Sequence, residues 1–401
     1  MRPGLIWLAP AVLALAFVAC SDDGGGGGGG GSGASGGNGG TAGNGGSGNA
    51  PAYETGGPGT CNGSWRGVND AYCGEECETD CSRVGQRPVD SCCVLVAEPG
   101  RGSGASRFLQ RTRDTNDFSD PTGAPPNLSC FTSPGEVGTS KPVTMEGIVE
   151  AFSNGCDLSN VKVEVYTVDT DPSSASYRDK VALVGSAVFT DDFDAVPDED
   201  DNCPDDLVQN RSYRYENVPT YTELMVVTST ADASGSKPQW KPLYTYNLYI
   251  TEEDPDFNAA TNVYTRDQRA LADSDFQLIP TVAMGSTISR GNGAIGGEVH
   301  DCDNIRLQNA MVDIDVSRSI VAYFNDDELK PLPDTGRTQL GTGRTSIWSA
   351  LNVPPGLARV AATGLIQEDG ATKLVTLGHY DIRIFPDAVT SVTFRGRRPF
   401  Q

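Results

Sequence analysis

The chain has 401 residues and a mass of 42.2 kDa, room for two or three domains at roughly 150 residues each. Lys and Arg number 30 against 53 Asp and Glu, a net charge of −23, so a phosphate backbone would repel it and nucleic acid is excluded as a general partner. Two histidines, His300 and His379, exclude His-rich metal chemistry, and eleven cysteines point away from a reducing compartment.

Residues 1–19 read as an export signal: Arg2 gives a positive start, and residues 5–19 are apolar apart from Pro10. That run is about 15 residues, where a spanning helix needs about 20. It ends Phe17-Val18-Ala19-Cys20, which resembles the lipobox of bacterial lipoproteins and departs from it at Phe17, where an aliphatic residue is usual. The resemblance implies that Cys20 is diacylated and anchors the chain to a membrane. The alternative is ordinary cleavage after Ala14-Leu15-Ala16, leaving Cys20 free. By the sorting pattern of such lipoproteins, Ser21 after Cys20 implies the outer membrane. Residues 20–58 are almost pure Gly, Ser, Asn and Ala and hold nothing apolar to bury, so a disordered tether is expected. About 38 such residues reach about 35 Å on average.

Residues 59–140 form a cysteine-rich region. Beyond Cys20 there are ten cysteines: Cys61, Cys73, Cys77, Cys81, Cys92, Cys93, Cys130, Cys156, Cys203 and Cys302. An even number in an exported chain implies up to five disulfides, and by position Cys156–Cys203 is expected to close the first sandwich described below. Cys73-Gly-Glu-Glu-Cys77-Glu-Thr-Asp-Cys81 lacks the Cys-x2-Cys knuckles and histidines of a zinc site, so staples are the expected role of these cysteines.

Residues 141–285 and 286–401 alternate short Val/Ile/Tyr/Thr-rich runs with Gly, Pro, Asn and Asp, and no long stretch carries a helical period. They are two copies of one β-unit. Gly147-Ile-Val-Glu and Leu158-Ser-Asn160-Val-Lys-Val in the first correspond to Gly297-Glu-Val-His and Leu307-Gln-Asn309-Ala-Met-Val in the second. Asn217-Val-Pro corresponds to Asn352-Val-Pro, with Tyr221 standing where the second copy has Gly356. These motifs resemble the carboxypeptidase regulatory-like family, which implies a mostly β chain with two tandem transthyretin-like β-sandwiches. Zinc carboxypeptidases need His-x-x-Glu, and neither His300 nor His379 stands in that pattern, so no enzyme activity is expected and both histidines read as ordinary surface residues.

The copies differ most between Gly185 and Asn217, a span of 32 positions against 11 from Gly341 to Asn352. The extra residues put nine acids within residues 191–206, with no Lys or Arg among them. Oxygen ligands without histidine favour calcium. The segment Asp194-Ala-Val-Pro-Asp198-Glu-Asp-Asp201-Asn-Cys203-Pro resembles one thrombospondin type 3 calcium repeat, with Ala195 for the turn glycine and Thr190 where the first Asp belongs. That resemblance implies Asp192, Asp194, Asp198 and Asp201 as ligands. The alternative is a solvated acidic loop.

Gly291-Asn-Gly293-Ala-Ile-Gly296 has dinucleotide spacing but no helix pattern after it. Tyr244 and Tyr246 share a face by alternation, as a core strand or as a platform for carbohydrate or peptide, and Arg395-Gly-Arg397-Arg398 reads as an exposed end. The expectation is a non-catalytic, membrane-anchored lipoprotein, a surface or periplasm-facing binding or scaffold module with a protein or glycan partner. The alternatives are a calcium-dependent adhesion protein and a hydrolase.

Overall fold

The computed structural model describes residues 53–54, 108–112, 124–131, 135–152, 157–196, 210–314, 316, 320–327, 330–338, 340–396 and 398–399. The export signal, Cys20, most of the tether and all cysteines except Cys130 and Cys302 lie outside them.

The described chain is mostly β. In the first repeat the main strands are β1 Pro142–Ala151, β2 Val161–Val168, β3 Lys180–Leu183, β4 Asn210–Pro219, β5 Leu224–Thr230, β6 Leu243–Leu248, β7 Val263–Thr265 and β8 Gln268–Ala272. Helix α1, Asp273–Met284, leads to the second repeat: β9 Gly293–Glu298, β10 Met311–Ile314, β11 Ile320–Tyr323, β12 Ile347–Val353, β13 Gly356–Glu368, β14 Ala371–Ile384 and β15 Val389–Ser391.

The duplication read from sequence reappears as a duplicated pairing scheme. β1 pairs antiparallel with β4 and parallel with β7 and β8; β9 pairs antiparallel with β12 and parallel with β15. β5 lies antiparallel between β2 and β6, as β13 does between β10 and β14. The corners match in detail. Asn160 and Asn309 both take left-handed backbone, as do Gly185 and Gly341, and Asn217 and Asn352. Asn and Gly tolerate that conformation where other side chains clash. Thr190 Oγ1 donates to Leu158 O at 2.7 Å and accepts from Val161 N at 3.1 Å; Thr342 Oγ1 does the same with Leu307 O and Ala310 N, at 2.8 and 3.0 Å. Both threonines are fully buried. Thr190 is therefore a corner clamp with a counterpart in the second repeat.

Gly147 and Gly297 have a shared reason too. A Cβ on Gly147 would strike the Arg266 carbonyl, and one on Gly297 the Val392 carbonyl. In each repeat the backbone just after a parallel partner strand, β7 or β15, passes too close to the first strand for any side chain.

The two repeats are fused through one nine-stranded sheet, ordered β11-β12-β9-β15-β6-β5-β2-β3, with residues 188–189 also on β2. β15 is the seam: Thr390 sits beside Ile295 on one side and Tyr244 on the other, both parallel. β5 is consequently buried on both faces. Leu224 and Val226 enter the first repeat's core, and Met225 and Val227 enter the second's. A strand wet on neither face reads as an unbroken apolar run, which is how Leu-Met-Val-Val stands in the sequence. β12 does likewise, with Trp348 and Ala350 in the second core and Ile347 and Leu351 under α1.

Helix α1 departs from the all-strand expectation. Asp273 and Asp275 in its first turn and left-handed Gly285 at its end are ordinary helix boundaries. Pro280 inside it, and only twelve residues of length, hide the period.

Candidate functional site: a buried charge junction between the repeats

Beside the seam lie four charges taken wholly out of water: Arg178, Glu223, Arg359 and Asp381, each 5 % exposed or less. Arg178 ends the turn before β3, in left-handed backbone, with its N–H bonded to Asp169 O at 2.8 Å. From there its guanidinium meets both carboxylate oxygens of Glu223, the residue before β5. Its Nε donates to the Asp381 carbonyl at 2.6 Å, crossing from the first repeat to the second. Arg359 on β13 grips Asp381 on β14 through Nε at 2.6 Å and Nη2 at 2.9 Å. Tyr177 Oη also donates to Asp381 Oδ2, at 3.1 Å. Tyr246 Oη donates to the Arg178 carbonyl and accepts from Arg383 N.

Burial alone would raise the Asp381 carboxyl, but Arg359 above all, with His379 and Arg178, holds it far below the ordinary carboxylate range. Each oxygen of Glu223 and Asp381 faces a donor, each carboxylate paired with the arginine of its own repeat, and the bonds of Arg178 and Tyr177 to Asp381 link the two pairs across the repeats. A buried pair of this kind contributes little net stability, but removing one partner strands the other. Sequence reading missed all four residues. The signal was present for Arg359, the one charge in the apolar stretch Leu357-Ala-Arg359-Val-Ala-Ala.

A second polar cluster sits at the end of β9. His300 lies between Glu298 Oε2 (2.6 Å from Nε2) and Asn304 Oδ1 (2.8 Å from Nδ1), and Arg306 reaches Glu298 at 3.3 Å. Burial would raise Glu298, but Arg306 and then His300 hold it well below its usual range. His300 and His379 are each 7 % exposed, so the expectation of two surface histidines is corrected: His300 is hydrogen-bonded to Glu298, and His379 lies near Asp381 on the same strand. Arg395 and Arg398 are corrected likewise, and Arg397 lies outside the described residues. Arg398 Nε donates to Asn247 Oδ1 at 2.7 Å, and Arg395 lies 3.6 Å from Asp254.

Of the expected disulfide cysteines, Cys130 and Cys302 are brought together in one bond. Cys61, Cys73, Cys77, Cys81, Cys92, Cys93, Cys156 and Cys203 lie outside the described residues, so Cys156–Cys203 is not among the described contacts. Of the expected calcium ligands, Asp192 and Asp194 are exposed, and Asp198 and Asp201 lie outside the described residues. Neighbouring Asp191 is taken by Lys237 at 2.5 Å and by Asn160 N at 2.8 Å. Among the described residues no group of three His, Cys, Asp or Glu side chains is arranged around a cation. Tyr244 and Tyr246 do share a face: Tyr246 is buried, and Tyr244 stacks on Phe385 of the second repeat at 3.8 Å, with Lys180 5.5 Å from its ring. Those ring contacts are internal and belong to the junction.

No family model and no curated protein matches the chain. Among solved structures, the major pilin of Streptococcus pyogenes is similar at 10 % identity, and a mutant of it at 11 %. Each match covers 65 % of this chain and 99 % of the pilin, with a TM-score of 0.15, too low to carry an argument about fold or function.

Proposed function

We propose that this chain is a non-catalytic, exported, lipid-anchored lipoprotein of the bacterial outer membrane that presents a rigid binding or scaffold surface to a protein or glycan partner. Its body is read as two tandem transthyretin-like sandwiches. The observation that carries the reading is the seam: β15 joins both repeats into one sheet, and beside it Arg178 and Tyr177 of the first repeat, the former paired with Glu223, bond Asp381 of the second, itself paired with Arg359. A joint built of paired strands and stranded-if-broken charges favours holding a geometry over opening and closing on a substrate. The most strongly depressed acids, Asp381 and Glu298, are each neutralised by arginine, which fits structural work better than acid–base chemistry.

The anchor is tested by Cys20→Ser, which should move the full chain from the membrane to the soluble fraction; retention in membranes would overturn it. Cross-linking on intact cells should then capture a partner with the anchored form. Turnover of an ester, peptide or glycoside by the purified chain, abolished by one side-chain substitution, would replace this reading with the hydrolase.

A further inference from the structure

Residues 108–112 and 124–131 precede the first repeat in sequence, yet they dock on the second. Where the pairing of Met311 with Thr363 ends, Phe108 takes over alongside Leu365 on β13, and Leu109 N donates to Leu365 O at 2.7 Å. Gln110–Arg111 then pairs antiparallel with Leu307–Gln308. Leu109 is buried in the second core, directly over Gly364, where a Cβ would collide with its side chain. Two residues on, Arg111 Nε lies 2.9 Å from Asp301, whose side chain is 0 % exposed, and Arg111 Nη2 lies 2.7 Å from Asp303. Asn309 Nδ2 donates to the Phe108 carbonyl at 2.8 Å. Further along, Asn127 N donates to Asp301 Oδ2 at 3.1 Å, and Cys130 is bonded to Cys302.

The first repeat shows what this place is. Its equivalent asparagine, Asn160, holds the chain's own β5–β6 connection through the carbonyls of Asp232 and Pro238, at 3.0 and 2.8 Å. In the second repeat the corresponding β13–β14 turn is short, Glu368 pairing with Ala371. The corner beside Asn309 is filled instead by a segment from elsewhere in the chain.

We infer that the second repeat carries an acceptor site for an extended peptide that reads Leu-x-Arg, and that residues 108–112 of this chain are its resident occupant, locked by Cys130–Cys302. The notch above Gly364 selects an apolar side chain of leucine size. Buried Asp301, with Asp303, selects a cation two residues later, on the same side of an extended strand. Backbone pairing to Leu365 and Leu307 supplies sequence-independent affinity, as in strand addition to a sheet edge.

The test vacates the site in the full-length chain with Cys130→Ser/Cys302→Ser and Leu109→Asp, then titrates a labelled synthetic peptide of residues 105–115 and follows anisotropy. The vacated variant should bind the peptide saturably; the oxidised wild type should bind at least tenfold more weakly. Binding should fall at least tenfold again when Gly364→Leu is added, and with a peptide carrying the equivalent of Arg111→Ala. Amide exchange of β1 and β12 in the vacated variant reports whether the repeats stay folded. Folded repeats with no peptide binding overturn the inference. So does loss of protection throughout the second repeat, because residues 108–112 would then be an inseparable part of its core.

Discussion

The two repeats share their pairing scheme and part company at the third strand. In the first, β3 pairs with β2; in the second, β11 pairs with β12 and so joins the other sheet. The shared strands are the ones carrying marks in sequence: a glycine where two backbones touch, an asparagine in left-handed backbone, a buried threonine at a corner. The third strand carries none, and its neighbours place it. β3 follows Arg178, whose guanidinium is committed to Glu223 beside β5, and this holds it on the β2–β5 side. β11 contains Tyr323, whose hydroxyl is bonded to Val312 N at 2.9 Å and Val312 O at 3.1 Å on β10. Local geometry that only certain residues can adopt is conserved between the copies, and position set by packing is free to change.

The comparison is broken most severely at the buried charges. Arg359→Met should leave Asp381 stranded and cost about 3–5 kcal/mol, while Arg359→Met/Asp381→Leu should recover most of it. Urea unfolding of both variants checks this, and equal stability of the two would deny the pair its role. The next largest expected effect concerns only the first repeat. If Asp192, Asp194, Asp198 and Asp201 share calcium, a hundredfold excess over Kd adds about 2.7 kcal/mol. Thermal melts in millimolar calcium and in chelator should then differ by several degrees, and Asp198→Asn/Asp201→Asn should erase the difference. Identical melts would leave the insertion a solvated loop.

Gly147→Ala and Gly297→Ala should each cost about 1–3 kcal/mol, because a methyl group must displace the Arg266 or the Val392 carbonyl. Gly297→Ala should be the more disruptive, since Val392 directly follows the seam strand. Amide exchange resolved by repeat would show whether its damage crosses into β6; damage confined to the second repeat would mean that the seam transmits nothing. The smallest effect at neutral pH comes from acidification. Asp381 and Glu298 titrate lower folded than unfolded, so their stabilisation is complete above the unfolded carboxylate range near pH 4 and fades as pH falls through the folded values. Both belong to the second repeat. Acid should therefore loosen its amides before those of the first, and the reverse order would contradict the assignment of these pairs.

Sequence by itself determined the strands, the duplication and its corners. Asn160 and Asn309, Gly147 and Gly297, and Asn217 and Asn352 answer to local backbone sterics, which a short stretch of chain already specifies. Tyr221 shows that limit from the other side: it holds left-handed backbone at φ 50° where the second copy has Gly356, with its ring lying against Gly138 from a distant part of the chain. Periodicity missed α1, because Pro280 and twelve residues give too little pattern. The fused sheet, the pairing of Arg178 with Glu223 and Arg359 with Asp381, the burial of His300 and His379, and the docking of residues 108–112 and 124–131 on the second repeat were decided only by tertiary structure. Each depends on residues far apart in the chain meeting out of water. There a charge must find a partner, and an apolar strand can be covered on both faces, but neither requirement names the partner in advance.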